Sequence, residues 1–273
     1  MRSEPNWIKE LFIDKVDLFL KVLNHLWREA EDVVKYIANL LKKYDIDEDS
    51  RVLEVGCGNG RIAVNLARYG YRNVYGVDIS PNLIDDAINK ARSYGVSDRV
   101  KFRVCDARDL DKVFDEDFFD AILMYWTSVL GYYLDEEVDL DILRKCRYIC
   151  KKGGYLFILR TANRDLLALL HSLKCIGPHV SREMDDIIVI EYPEFDPITS
   201  TTSNRWVFYK KLENKDLKYI DEISFRIRVY SLHELIRIAK QAGWEYVDSY
   251  RSIATLEPFT PCLSGFNIVF KAY

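Results

Sequence analysis

The chain has 273 residues, of which 49% are hydrophobic, 13% aromatic and 30% charged. This length predicts one or two domains, and the composition supplies a large apolar core, which excludes disordered, collagen-like and low-complexity proteins. With 39 basic and 43 acidic side chains the formal net charge is −4. Proteins that bind nucleic acid through their whole surface are usually basic, so nucleic acid is an unfavoured partner.

Residues 5–44 have the apolar periodicity of two helices. Leu11 and Leu23 share one face of the first helix, and Val34 and Ile37 share one face of the second. Charged residues interrupt the first apolar stretch, so we predict neither a signal peptide nor a membrane span, and no membrane partner. We expect these residues to form a helical cap.

From residue 45 onward, short apolar runs typical of strands alternate with segments of helical periodicity. The runs are 52–55, 73–77, 100–104, 119–124 and 155–159, followed near the carboxyl end by 244–250 and 266–271. This alternation implies right-handed crossovers and a parallel sheet covered by helices on both faces. We therefore predict a Rossmann-like, doubly wound α/β fold with a mostly parallel sheet of seven strands.

The alternation stops after Arg160 and resumes with a helix that begins at Ser231 and ends before Gly243. Between them, one short helix and three β-rich runs linked by polar turns predict antiparallel strands. We expect this stretch to be a β-rich lid inserted into the main fold. The predicted parts are a cap (1–44), a core (45–160 and 230–273) and an inserted lid or substrate subdomain (161–229).

The six cysteines are scattered along the chain and form no Cys-x-x-Cys pair. Such a pattern indicates free thiols in a reducing compartment rather than a disulfide framework or a metal site. We predict a cytoplasmic location and no bound metal. The sequence says nothing about the oligomeric state.

The strongest functional signal is a glycine-rich turn where the first strand meets the first crossover helix. It reads Val52-Leu53-Glu54-Val55-Gly56-Cys57-Gly58-Asn59-Gly60-Arg61. Ligands of doubly wound sheets bind at the carboxyl ends of the strands, and glycines let the backbone approach them closely. Asp78, at the end of the second strand, can accept hydrogen bonds from both hydroxyls of a ribose. The GxGxG spacing fits neither the dinucleotide fingerprint nor a phosphate-binding P-loop.

This turn resembles motif I of the class I S-adenosylmethionine-dependent methyltransferases, and the resemblance extends over about residues 45–273. Gly76-Val77-Asp78-Ile79-Ser80-Pro81 is similar to the second motif of that family, and Cys105-Asp106-Ala107 to its adenine-positioning segment. The resemblance implies S-adenosylmethionine as cofactor and S-adenosylhomocysteine as product. The cofactor-binding residues that it implies are Glu54, Gly56, Cys57, Gly58, Gly60, Arg61, Asp78, Ile79, Asp106, Ala107 and Met124.

The resemblance also implies a role for several of these residues. Glu54 and the glycines would line the methionine and ribose part of the cofactor, and Asp78 would hold the ribose hydroxyls. Ile79 would stack on adenine, and Asp106 would bind its amino group. Arg61 would either reach the methionine carboxylate or remain a solvated arginine in the first helical turn.

The loop after the fourth strand, residues 124–133, faces the acceptor in this family. It lacks the Asn/Asp-Pro-Pro-aromatic tetrad of enzymes that methylate nucleobase or glutamine amines, and it is more similar to small-molecule methyltransferases. Tyr125 and Trp126 are the candidate catalytic residues, which would shape an acceptor pocket or, alternatively, pack beneath the insertion. The insertion contains further candidates. His171 or His179 could serve as a general base, and Arg182, Arg205 and Trp206 could bind an acidic or planar substrate.

The resulting hypothesis is a methyltransferase that acts on a small or medium organic acceptor beneath the lid, by in-line displacement. A methyltransferase for protein or RNA and a non-catalytic binding protein are the alternatives. A nicotinamide oxidoreductase is unfavoured because of the GxGxG spacing. The sequence does not identify the acceptor or its reacting atom.

Overall fold

The computed structural model describes residues 5–126 and 129–273, which form two sheets and the helices around them. The strands are β1 (Arg51–Val55), β2 (Asn73–Asp78), β3 (Val100–Val104), β4 (Phe119–Tyr125), β5 (Cys150–Thr161), β6 (Val180–Met184), β7 (Ile187–Asp196), β8 (Thr201–Lys211), β9 (Leu217–Arg228), β10 (Trp244–Ser252), β11 (Glu257–Pro258) and β12 (Phe266–Ala272). The helices are α1 (Asn6–Lys9), α2 (Val16–His25), α3 (Trp27–Lys43), α4 (Ala63–Tyr69), α5 (Pro81–Ser93), α6 (Leu110–Val113), α7 (Glu136–Ile149), α8 (Arg164–Ser172) and α9 (Leu232–Gln241). A π-helical turn (Glu10–Asp14) and a 3-10 turn (Ala107–Asp109) complete the set.

The main sheet has the strand order β11-β10-β12-β5-β4-β1-β2-β3, in which β1 to β5 are parallel. Strands β10 and β12 join it antiparallel at one side. The predicted Rossmann-like α/β fold is therefore confirmed. The sheet has eight strands rather than seven, because the two-residue strand β11 pairs with the edge of β10. The strand order reverses between β1 and β4, which is where doubly wound sheets bind ligands.

Both faces of the main sheet are covered by apolar side chains from the helices. Ile142 of α7 and Ile238 of α9 belong to the cluster on one face, and Ile37 of α3 belongs to the cluster on the other. Burial on both faces explains why the parallel strands are continuous apolar runs rather than alternating ones. The carboxyl ends of β1, β2 and β4 are thereby fixed relative to one another.

Two predicted helix starts are confirmed by their capping contacts. The Ser80 side chain accepts a hydrogen bond from the Leu83 N–H at 3.4 Å, and Pro81 occupies the first position of α5. Ser231 and Glu234 form a reciprocal capping box at the start of α9. The first of these caps directly follows Asp78, so it fixes the backbone beside that carboxylate.

The second sheet is antiparallel, with the order β6-β7-β8-β9, and lies within residues 180–228. It has four strands rather than the three predicted, because the mixed run Val-Ser-Arg-Glu-Met pairs with β7. Apolar residues of its inner face, such as Val189 and Phe208, pack against Leu11 and Val22 of the amino-terminal helices. Among the described residues no helix is both long and apolar enough to cross a membrane. The division into cap, core and lid stays our proposal.

We expect Gly76→Ala to destabilise the protein by about 1–3 kcal/mol, because it overpacks the sheet beneath the glycine-rich turn. A Cβ at Gly76 would lie 2.6 Å from the Phe102 ring and 2.9 Å from the Cys57 Sγ. Urea denaturation measures the loss. The control is Gly177→Ala, whose Cβ would meet its nearest heavy atom at 3.7 Å; an equal loss in both variants would contradict the packing argument.

Candidate functional site

The glycine-rich turn bends sharply at the carboxyl end of β1 and is held there by β2. The backbone N–H groups of Gly56 and Cys57 both donate to the Val77 carbonyl at 2.9 Å. Gly56, Gly58 and Gly60 have φ angles of 70°, 55° and 76°, a region that favours glycine. The turn therefore leaves an open space above the ends of β1 and β2.

Asp78 points its carboxylate across this space and is held by backbone groups on both sides. Its Oδ2 accepts from the Gly58 N–H and its Oδ1 from the Ser80 N–H, both at 2.9 Å. The residue is 9% exposed. Burial raises the pKa of Asp78 to about 6, although the hydrogen bonds from Ser80 and Gly58 oppose that shift. The carboxylate is thus fixed in position at the edge of the turn.

Glu54 and Arg61 are two buried titratable residues beside the turn. Glu54 is 4% exposed, and its Oε2 accepts from the Ala63 N–H at 3.0 Å. Burial raises the pKa of Glu54 to about 8, and the positive charge of Arg61 partly offsets this. Arg61 is 5% exposed, so the solvated alternative considered from the sequence is wrong.

The Arg61 guanidinium lies among aromatic rings rather than beside an acid. Its central carbon is 5.0 Å from the Tyr125 ring centre and 5.2 Å from the Trp126 ring centre. Burial lowers the pKa of Arg61. No carboxylate oxygen of the described residues lies within 4 Å of the Arg61 nitrogens. A buried cation without an ion-pair partner is costly, and an anionic ligand group would stabilise it.

The sequence-predicted residues surround one cavity, here called the first cavity. Those that line it are Glu54, Gly56, Cys57, Gly58, Arg61, Asp78, Ile79, Asp106, Ala107, Tyr125 and Trp126. Gly60 lies beneath the turn, where a Cβ would come within 2.9 Å of the Phe102 ring. Met124 is fully buried in the apolar cluster of the main sheet. Eleven of the predicted site residues therefore line one cavity.

Asp106 and Ala107, which follow β3, also line the first cavity. The Asp106 carboxylate accepts from the Arg108 backbone N–H at 2.8 Å and from the Arg108 guanidinium at 3.0 Å. Burial raises the pKa of Asp106, but the hydrogen bonds from Arg108 outweigh it, so that the pKa is lower than usual. Asp106 therefore stays an ionised hydrogen-bond acceptor at neutral pH.

Apolar residues of the amino-terminal helices also line the first cavity, and sequence reasoning missed them. They are Ile8, Phe12, Phe19 and Leu23. A Cβ on Gly58 would lie 3.1 Å from Leu23 Cδ1, so α2 packs directly on the glycine-rich turn. These four lining residues form part of an apolar helical face, and the sequence pattern of such a face is the same for any residue of an apolar core.

The loop after β4 contributes Val129, Tyr132 and Tyr133 to the first cavity. Within the predicted acceptor-facing segment, Thr127 and Ser128 lie outside the described residues. No role for Tyr132 or Tyr133 was predicted from the sequence.

A second cavity adjoins the first and lies between the amino-terminal helices and the inner face of the second sheet. The two cavities share Phe12, Phe19, Arg61, Trp126 and Tyr132. The further lining of the second cavity is Trp7, Leu11, Val22, Leu26, Glu29, Arg160, Arg182, Met184, Val189, Glu191, Trp206, Phe225 and Ile227. A molecule in the second cavity would therefore contact the side of the first cavity formed by Arg61 and Trp126.

Trp126 lies at the junction of the two cavities, and Tyr125, next to it in the chain, lines the first. The Tyr125 hydroxyl accepts from Arg160 Nη1 at 3.1 Å, and Arg160 also pairs with Glu29. Trp126 has a φ of 65°, which is strained backbone for a bulky residue, and its N–H donates to the Leu159 carbonyl at 2.9 Å. Both aromatic rings also pack against the apolar clusters, so the pocket and packing interpretations describe the same side chains.

The candidate residues of the insertion divide into two groups. Arg182 and Trp206 line the second cavity. His171 and His179 are exposed and belong to the described lining of neither cavity. Arg205 pairs with Glu222 at 3.1 Å and also lies outside both linings.

We expect the cofactor-free protein to lose stability as the pH rises from 5 to 8, with Glu54 as a main cause. The folded-state pKa of Glu54, about 8, is above the usual 4.5, so the folded state holds its proton more strongly than the unfolded chain. The stabilisation is complete below pH 4.5 and is lost as the pH approaches 8. Glu54→Gln removes this titration and should reduce the loss of stability between pH 5 and pH 8.

Urea denaturation at pH 5 and pH 8 compares the two proteins. Glu245→Gln, at an exposed position of β10, is the control and should keep the wild-type dependence. A Glu54→Gln variant whose free energy of unfolding falls as steeply as that of the wild type would show that Glu54 is not the group responsible.

Comparisons with known proteins agree with this site. Residues 52–154, which contain the glycine-rich turn, Asp78 and Asp106, match the methyltransferase domain family. Methyltransferase GfsG of Streptomyces halstedii is 31% identical over 138 residues, which are 50% of this chain and 47% of that protein. The chain therefore spans about half the length of the curated relatives it matches.

Solved structures share the fold over most of the chain. The CcbJ methyltransferase from Streptomyces caelestis gives a TM-score of 0.71 at 21% identity and covers 89% of both chains. SAM-bound CalS10, an amino pentose methyltransferase from Micromonospora echinaspora, gives 0.67 at 14% identity over 94% of this chain and 97% of that one. Residues 52–154 therefore match a methyltransferase domain, and the described chain has the fold of solved S-adenosylmethionine-dependent methyltransferases, one of which, CalS10, was solved with SAM bound.

Proposed function

We propose that the chain transfers a methyl group from S-adenosylmethionine to a small or medium organic acceptor. The observation that carries this proposal is the junction of two cavities at Trp126, one lined by the glycine-rich turn and Asp78, the other covered by the amino-terminal helices and the second sheet. The first cavity would hold the cofactor and the second the acceptor. The bound cofactor supplies an electrophilic methyl group, so the protein's task is to position the acceptor and exclude water.

The residues of the first cavity fit the parts of this cofactor. Asp78, fixed by two backbone N–H groups, would accept hydrogen bonds from the ribose hydroxyls. Asp106 would accept from the adenine amino group, with Ile79 against the ring. Arg61, a buried cation without a described carboxylate partner, would bind the methionine carboxylate. The glycines of the turn would let the backbone approach the cofactor closely.

The covering of the second cavity supports a small acceptor rather than a polymer. Trp7, Leu11 and Val22 close it on one side, and strands of the second sheet close it on the other. Trp126, which lines both cavities, would orient the acceptor beside the cofactor, and the Arg160 hydrogen bond would hold the Tyr125 ring in place. The cytoplasmic location stays a prediction from sequence.

The test uses methyl-labelled S-adenosylmethionine, the purified protein and a fractionated cell extract. We expect label in the small-molecule fraction, and a loss of labelling in Asp78→Ala. Asp98→Ala, which removes an exposed carboxylate between α5 and β3, is the matched control and should label as the wild type does. Label in protein or RNA would overturn the acceptor proposal, and binding of the cofactor without any labelling would favour a non-catalytic protein.

A further inference from the structure

The loop after β4 carries two tyrosines beside the carboxylates that are proposed to bind the cofactor. Burial raises the pKa of Asp106, and hydrogen bonds from Arg108 and from the Tyr133 side chain lower it. The central carbon of the Arg108 guanidinium also lies 4.4 Å from the Tyr133 ring centre. Burial and then the negative charge of Asp78 raise the pKa of Tyr132, which lines both cavities. The position of this loop therefore affects both proposed cofactor carboxylates.

Gly131, directly before these tyrosines, fixes the loop to two other elements. Its N–H donates to both carboxylate oxygens of Asp139, at 2.9 Å and 3.0 Å, and its carbonyl accepts from the Arg228 N–H at 2.9 Å. Gly131 has a φ of 82°, and a Cβ there would overlap the Arg228 carbonyl oxygen, so this position requires glycine. The loop is thereby held between α7, which contains Asp139, and the end of β9.

Asp139 is a buried carboxylate that contacts neither proposed ligand site directly. It lies in the first turn of α7, is 1% exposed and belongs to the described lining of neither cavity. Besides Gly131, the Tyr230 hydroxyl donates a hydrogen bond to it. Burial raises the pKa of Asp139 to about 6, and these hydrogen bonds oppose the shift, so the group is ionised at pH 8. An effect of Asp139 on ligand binding must pass through the groups that it holds.

We propose that Asp139 is a positioning residue for the cofactor. Its carboxylate holds the Gly131 N–H, and this contact places the Tyr133 hydroxyl on Asp106, the residue proposed to bind the adenine amino group. Tyr133 and Arg108 together then fix the direction in which the Asp106 carboxylate meets the ligand. This inference rests on the proposed function, because it requires the cofactor to occupy the first cavity.

The test is calorimetric titration with S-adenosylhomocysteine at pH 8. Asp139→Leu is combined with Tyr230→Phe, so that no buried hydroxyl loses its partner, and Tyr230→Phe alone is the matched control. We expect the control to bind as the wild type does and the double variant to bind about tenfold more weakly, the size of one hydrogen bond to a charged group. Urea denaturation establishes that each protein is folded. If the leucine variant does not fold, Asp139→Ala in the same background tests the same contact.

Asp139→Asn, made in the otherwise unchanged protein, tests whether the hydrogen bond rather than the charge positions the loop. Its amide oxygen can accept from the Gly131 N–H, and its amide nitrogen can donate to the Tyr230 oxygen. We therefore expect wild-type affinity for S-adenosylhomocysteine. A loss in Asp139→Asn as large as that of the leucine variant would contradict the positioning role.

A double-mutant cycle tests the route through Tyr133. In the Tyr230→Phe background, Tyr133→Phe should weaken S-adenosylhomocysteine binding about fivefold, because Asp106 loses one of its hydrogen bonds. Once Asp139→Leu has released the loop, the same change should weaken binding by at most about twofold more. Losses that multiply in full, or no loss in Tyr133→Phe, would show that Asp139 does not act through Tyr133.

The same titrations separate this inference from the proposed function. Wild-type protein that binds S-adenosylhomocysteine, together with an Asp139→Leu/Tyr230→Phe variant that binds it equally well, would overturn the role of Asp139 alone. Wild-type protein that binds no S-adenosylhomocysteine would overturn the proposed function as well.

Discussion

Replacing Asp78 with alanine is expected to weaken the binding of S-adenosylhomocysteine by about 100-fold. The carboxylate is held in one orientation by the N–H groups of Gly58 and Ser80, each at 2.9 Å, so its remaining lone pairs are available to the two ribose hydroxyls. A hydrogen bond to a charged group contributes about 1.5–3 kcal/mol, and about 1.4 kcal/mol corresponds to a tenfold change. Two such bonds therefore account for the expected loss.

Calorimetry with S-adenosylhomocysteine and with 5′-methylthioadenosine measures this loss. Both ligands carry the ribose, so Asp78→Ala should weaken both to a similar extent. Asp98→Ala controls for the removal of one negative charge. Circular dichroism and urea denaturation establish that the variant is folded. If the folded variant binds both nucleosides as the wild type does, Asp78 is not the ribose ligand.

The parts of the fold that were predicted from the sequence depend on local patterns. The parallel strands are continuous apolar runs because both of their faces are buried, and the helices α5 and α9 begin at capping residues that the sequence displays. Gly58 and Asp78 are 20 residues apart. The turn follows β1 and Asp78 ends the adjacent parallel strand β2, so their proximity follows from the topology.

The features that were not predicted depend on contacts between distant segments. The packing of Leu23 on Gly58 joins the amino-terminal helices to the turn, and an apolar helical face does not indicate which surface it covers. The burial of Arg61 requires Tyr125 and Trp126, which follow a different strand. Strand β6 was missed because its mixed composition gives little alternation, and its pairing with β7 overrides the weak local preference.

Arg61→Met is expected to have opposite effects on folding and on cofactor binding. In the cofactor-free protein Arg61 is buried and has no described carboxylate within 4 Å. Desolvation of its charge therefore destabilises the folded state, and the contacts with the Tyr125 and Trp126 rings offset this only in part. Methionine has a similar apolar length and no charge. We expect the free energy of unfolding to rise by about 1 kcal/mol, because removal of a buried unpaired charge outweighs the lost cation–π contacts.

The same substitution should weaken S-adenosylhomocysteine binding by about 10–100-fold, the size of one charge-assisted interaction with the methionine carboxylate. 5′-Methylthioadenosine lacks that carboxylate, so its affinity should be nearly unchanged, in contrast to its loss in Asp78→Ala. Equal weakening of both ligands in Arg61→Met would mean that the variant distorts the cavity rather than removing one contact. The combination of higher stability with ligand-selective loss is expected because the site keeps a charge unpaired until the cofactor supplies its partner.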